Sequence, residues 1–148
     1  MCKQIVQWTM HSSIGLQLFG FALIRITFGL MFLIFGYNKL MSGTNNLTQL
    51  GSAMSFFGIT HGYLLWGYVA ALTELCGGAA YILGFGTRIM SLPMIFLLIV
   101  AIQFHLQNGD TFTKWSFPAI CLCIVISFLI AGSGTYSVDH MLHSRVHN

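Results

Sequence analysis

Charge is what this chain has least of. Six Lys or Arg and three Asp or Glu stand among 148 residues, 6% of the chain, where a soluble domain carries roughly a quarter. So little charge argues against a water-soluble fold. The net charge of +3 is scattered, without the basic stripe that nucleic-acid binding requires, and that class is set aside. Cysteine is too sparse and too badly placed for a disulfide framework, since Cys76, Cys121 and Cys123 fall inside apolar stretches and Cys2 stands alone. Cys121 and Cys123, two apart on a helix, point to different faces and form no CxxC redox pair. No lipobox precedes Cys2, which argues against lipidation. The first seventeen residues have no long apolar run ending in a small-residue cleavage site, so the first hydrophobic stretch is expected to stay as an uncleaved anchor. Internal repeats are absent, as is any motif for flavin, haem or an iron–sulfur cluster.

What is there is hydrophobic: 56% of the residues, in four blocks separated by short polar stretches. Each block approaches the ~20 residues that cross a hydrocarbon core of about 30 Å. Stretches such as Leu92 to Phe104, apolar but for Gln103, show no alternation, which excludes the alternating ~10-residue strands of a membrane β-barrel. The expectation is an all-α, polytopic membrane four-helix bundle with short loops, one domain over residues 1–148. Helices are expected at about residues 18–40, 63–83, 88–106 and 115–131. A polar loop is expected over 42–51, an interfacial piece carrying Met54, Phe56, Phe57 and Ile59 over 51–60, and a C-terminal cap over 132–148. An even number of crossings leaves both termini on one side. Lys3, Arg88 and Arg145 on that side against Lys39 and Lys114 on the other put both termini in the cytoplasm, for a multi-pass protein of the cell (inner) membrane surrounded by lipid.

Two charges stand inside the blocks. Arg25 and Glu74 each cost roughly 2.5–3.5 kcal/mol at mid-helix. Measured from the expected cytoplasmic helix ends they lie about 10 Å and about 13 Å deep, so they are expected to pair as a polar layer. Arg25, Gly29, Phe32, Gly36 and Lys39 follow one helical stripe, and Ala70, Gly77 and Gly78 share the face of Glu74, small enough for close approach. Such a pair either fixes helix order alone or lines a pocket that holds a head group or relays a proton. At the opposite end Lys39 and His105 are expected within reach of one another, followed by Asp110 and Lys114, a set that could hold an anion or a quinone carbonyl or simply meet lipid head groups. His140, His143 and His147 fall on one face if the tail is helical, but no carboxylate or cysteine joins them and no metal is expected. Gly132 and Gly134 read as a helix stop, with Ser137 or Asp139 capping a short helix and Asp139 pairing with Arg88 or with nearby backbone N–H groups.

These residues together resemble the DoxX family of small four-helix membrane proteins, from about Leu18 to Leu142. The first block has R-x3-G-x6-G-x2-K-L at Arg25, Gly29, Gly36, Lys39 and Leu40. The second has E-x2-G-G with a later Gly and Arg at Glu74, Gly77, Gly78, Gly84 and Arg88. His105 matches the family's histidine, and Gly132, Gly134, Tyr136, Ser137 and Asp139 match its closing G-x-G-x-Y-S-x-D. The resemblance implies the membrane subunit of a thiosulfate:quinone oxidoreductase-like system, with quinone as the non-covalent electron carrier and a second, redox partner subunit. On that expectation Arg25 and Glu74, or Lys39 and His105, meet the quinone head group, while Arg88, Tyr136 and Asp139 belong to the cytoplasmic cap. The alternative is a non-catalytic scaffold that recruits a partner or forms a homo-oligomer. Transport needs a continuous polar path, and Leu92 to Ile102 offers no polar side chain.

Overall fold

In hydrocarbon a backbone must satisfy its own hydrogen bonds, and an uninterrupted apolar run does so as a helix. The computed structural model describes residues 14–146, and all regular structure among them is helical. Helices α1 (Ile14–Met41), α2 (Thr44–Gly51), α3 (Tyr63–Leu83), α4 (Thr87–Gln107), α5 (Phe112–Ala131) and α6 (Val138–Val146) follow in order, with a 3-10 helix at Ser52–Phe57 between α2 and α3. Cys2, Lys3 and His147 lie outside the described residues. Three of the long helices, α1, α4 and α5, are long and apolar enough to cross a membrane. Their outer faces carry exposed Leu23, Ile24, Ile34, Ile89, Leu92, Ile120 and Ile130, side chains that lipid rather than protein must cover.

Small residues set how the helices meet. A Cβ on Gly29 would lie 2.7 Å from the Gly78 carbonyl oxygen and 2.8 Å from the Ile82 nitrogen, and one on Gly36 would lie 2.7 Å from the Ala71 carbonyl oxygen. Only glycine lets α1 and α3 approach so closely, and the two contacts lock an antiparallel register. Beside this pair, Phe28 and Phe32 of α1, Tyr81 of α3, Met94 and Leu98 of α4, and Cys121, Val125 and Phe128 of α5 form one buried cluster. Phe28, Tyr81 and Phe128 are in mutual ring contact at 5.1–6.1 Å.

The stretch expected as a loop over 42–51 is mostly helical. Leu47 and Gly51, four apart, share a face of α2: Leu47 is 1% exposed, and a Cβ on Gly51 would lie 2.7 Å from the Gly67 nitrogen. This packing against α3 rewards helix where the Thr and Asn content suggested a loop. Nor does the following piece simply lie on the interface. Ala53 and Met54 are buried, while Phe56 and Phe57 reach Phe104 and Phe96 of α4 with ring centroids 6.1 and 6.2 Å apart, so the segment covers the α2 end of the bundle.

Candidate functional site

Arg25 and Glu74 do not pair. Glu74 Oε1 instead accepts a hydrogen bond from Lys39 Nζ at 2.6 Å. Arg25 donates to the Ser133 carbonyl and, at 2.6 Å, to the Tyr136 carbonyl. The reason is register. Depths counted from helix ends made the two charges level, but the glycine contacts bring the Arg25 guanidinium beside Gly84, and the ten residues from Glu74 to Gly84 span about 15 Å of helix. Each charge therefore serves a different end of the molecule.

At the α6 end the Arg25 guanidinium ties the closing segment to the bundle. The Asp139 N–H donates to the Gly84 carbonyl at 3.1 Å, and the Gly86 N–H donates to Asp139 Oδ1 at 3.0 Å. Arg88 turns to the Ile130 carbonyl at 3.1 Å rather than to Asp139. Tyr136 contributes its carbonyl, leaving its side chain exposed. Ser137 Oγ accepts from the His140 N–H at 3.2 Å, capping α6. An open groove of about 600 Å³ there is lined by Arg88, Asp139, His140 and His143 among others.

At the α2 end lies a more enclosed cavity of about 570 Å³, bounded by α1, α3, α4, α5 and the α2 cover. Its walls are largely aromatic and aliphatic, including Phe32, Phe35, Trp66, Phe96, Phe104 and Phe117. Its polar groups are few: Lys39, Thr73, Glu74, His105 and Lys114. Lys39 and His105 thus share one site, as their spacing suggests, and Glu74 joins them because α3 runs antiparallel to α1. Glu74 is buried, and its second oxygen, Oε2, has no hydrogen-bond partner. A sealed, half-satisfied carboxyl is costly, and sites of function are where such costs are tolerated. Phe35 and Phe117 stand in edge contact, centroids 6.1 Å apart, between α1 and α5. Both are partly exposed, so they separate the cavity from the lipid side.

One residue of this end was underrated by sequence reading. The end of α4 is a Schellman turn: Asp110 N–H bonds to the His105 carbonyl and Gly109 N–H to the Leu106 carbonyl, with Gly109 at φ 65°. The left-handed residue folds the chain back so that Asp110 Oδ2 meets His105 Nδ1 at 2.8 Å, while Asp110 Oδ1 accepts from Lys114 Nζ at 2.6 Å. His105 and then Lys114 hold the Asp110 carboxyl below the usual carboxylate range. The signal was present as His-x4-Asp-x3-Lys with a glycine just before the Asp.

No curated protein and no solved structure matches the chain. The family model described as DoxX matches residues 20–107, a stretch that takes in Lys39, Glu74 and His105 but ends before Asp110 and the α6 cap. With more than half its length matched, and with three helices long and apolar enough to cross a membrane, the chain belongs to the DoxX family.

Proposed function

We propose that this DoxX protein is the membrane subunit of a quinone-linked redox system, of the thiosulfate:quinone oxidoreductase kind, and that the cavity at the α2 end receives the quinone head group. The observation that carries the reading is the cavity itself: about 570 Å³ of mostly aromatic wall with its polar groups confined to Lys39, Thr73, Glu74, His105 and Lys114. Binding sites for small apolar molecules have this size and this sparse polarity. A flat ring with polar oxygens fits such walls. Glu74 balances the charge of Lys39, so the site does not demand an anion. Bound quinone supplies two-electron, two-proton chemistry, and the electrons must come from a partner subunit, since the chain has no cofactor motif of its own.

The residues would act as follows. Lys39 Nζ and the His105 ring orient the oxygens, Phe104 and Trp66 bound the ring, and Phe35 and Phe117 exclude water and admit a lipid-soluble molecule from the side. The reading also takes α3 as a fourth crossing, with both termini in the cytoplasm and the cavity at the outer side of the inner membrane. Counted along the sequence, Lys3, Arg88 and Arg145 on one side against Lys39 and Lys114 on the other support that orientation.

Trp66 fluorescence tests binding. In nanodiscs, with Trp8 and Trp115 replaced by Phe, a short-chain quinone should quench Trp66 saturably, and Lys39→Met or His105→Ala should weaken the effect. With native partners present, thiosulfate should reduce the quinone. Absence of quenching and of reduction would abandon the redox reading. The absence of any cofactor motif supports the alternative of a non-catalytic scaffold, which requires a stoichiometric partner or a homo-oligomer in mild detergent and tolerates loss of His105.

A further inference from the structure

We propose that the cavity selects the reduced, dihydroxy form of its aromatic ligand, with His105 Nε2 accepting a hydrogen bond from a ring hydroxyl and Asp110 acting as the positioning residue that fixes this tautomer. The proposal rests on the reading of the cavity as a quinone site and adds which redox form it prefers. His105 lines the cavity and Asp110 does not. The imidazole therefore stands between them, with Nδ1 held on Asp110 Oδ2 at 2.8 Å and the opposite ring edge left for the cavity. An ionised carboxylate only accepts, so Nδ1 must carry a proton; in the neutral ring Nε2 is then a bare lone pair. Two things keep Asp110 ionised and in place. Lys114 Nζ lies 2.6 Å from its other oxygen, and the Schellman turn fixes its backbone to the His105 carbonyl. The depressed carboxyl pKa of Asp110 agrees with this.

Of the remaining polar groups, Glu74 is committed to Lys39 through Oε1 and sealed at Oε2, and the Thr73 hydroxyl can donate or accept, so neither tells the two forms apart. Lys39 and Lys114 only donate, and quinone carbonyls and quinol hydroxyls both present lone pairs to them. Nε2 does discriminate: a quinol hydroxyl can donate to it, whereas a quinone carbonyl sets lone pair against lone pair. An acceptor that the bound ring seals from water and leaves unmatched costs about as much as one well-made hydrogen bond, which is about tenfold in affinity. For a two-electron couple, a tenfold preference for the reduced form raises the midpoint potential of the bound couple by about 30 mV.

The experiment compares a short-chain benzoquinone with its quinol, under anaerobic and mildly alkaline conditions, by Trp66 quenching in nanodiscs. The wild-type protein should bind the quinol about tenfold more tightly. Asp110→Asn, whose amide can face Nδ1 as acceptor or donor, should bring the ratio toward one by releasing the tautomer. His105→Gln, whose own amide can turn either way, should do the same while both forms still bind. Equal binding or quinone preference in the wild-type protein would overturn the proposal, as would a ratio unchanged by Asp110→Asn. If neither form binds, the quinone reading itself falls and this inference with it.

Discussion

The Lys39 side chain is 35% exposed while that of Glu74 is 4% exposed, and this asymmetry decides what each contributes. A lysine deprived of its partner can extend its long chain toward water at the α2 end. A sealed carboxylate has no such escape. Lys39→Met is therefore expected to cost about 3–5 kcal/mol by leaving an uncompensated buried charge, Glu74→Gln distinctly less, and the double substitution should recover much of the Lys39→Met loss. Chemical unfolding in detergent measures this; equal losses from the two single variants would mean that Lys39 is as confined as Glu74. Asp110 gives a second test at this scale. Its folded-state pKa lies below the ordinary carboxylate value, so the stabilisation it brings is full above that value and is lost as pH falls through the depressed one. Amides at Gly109 and Asp110 should exchange faster as pH is lowered through that acid range, beyond the intrinsic pH trend. In Asp110→Asn the extra acid sensitivity should vanish; if it persists, another group is responsible.

Helix approach in this bundle is governed by where glycine sits, and two positions on α1 separate that effect from helix propensity. A Cβ at Gly36 would meet the Ala71 carbonyl oxygen at 2.7 Å, backbone that cannot step aside, whereas one at Gly20 would meet nothing within 4 Å. Gly36→Ala should therefore destabilise by about 1–3 kcal/mol through forced separation of α1 and α3, while Gly20→Ala should be neutral or slightly stabilising. If both behave alike in detergent unfolding, the close approach at Gly36 is not what holds the pair. These contacts also explain what could be read in advance. Long apolar blocks announced α1, α3, α4 and α5, and the short gap between the blocks expected at 63–83 and 88–106 made the turn joining α3 to α4 legible. The Lys39–Glu74 pair was not, because depth from a helix end is uncertain by several residues and only a tertiary contact such as Gly29 on Gly78 fixes register. Helix α2 escaped for a related reason: its Thr44, Asn45, Asn46 and Thr48 suggest a loop, and the buried face of Leu47 and Gly51 gains its stability from α3.

At the scale of the whole molecule, α3 joins the two ends. It carries Glu74 in the α2-end cavity, the glycines that receive α1, and at its close the Gly84 that meets the Arg25 guanidinium and the Ser137 side chain. Yet it is α1, α4 and α5 that meet the length and apolarity of a membrane span. Polar and small residues lower the apolarity of α3 because it packs against protein: Ala71, Glu74, Gly77, Gly78 and Tyr81 are buried. At 21 residues and 1.5 Å each, α3 is about 30 Å long, enough for a hydrocarbon core. On the proposed reading, with α3 as a fourth crossing, its contact with α1 accompanies it across the bilayer. That reading places the two ends of α3 on opposite sides of the membrane, since antiparallel packing on α1 sets Thr60 and Phe85 at opposite ends of the bundle. In a background with the native cysteines replaced by Ala, Thr60→Cys and Phe85→Cys should be labelled by a membrane-impermeant maleimide from opposite sides of oriented vesicles, and Phe85→Cys should share its side with Tyr136→Cys. If Thr60 and Phe85 label from the same side, α3 enters and leaves by one face, and α1 and α3 cannot be packed along their full length in the bilayer.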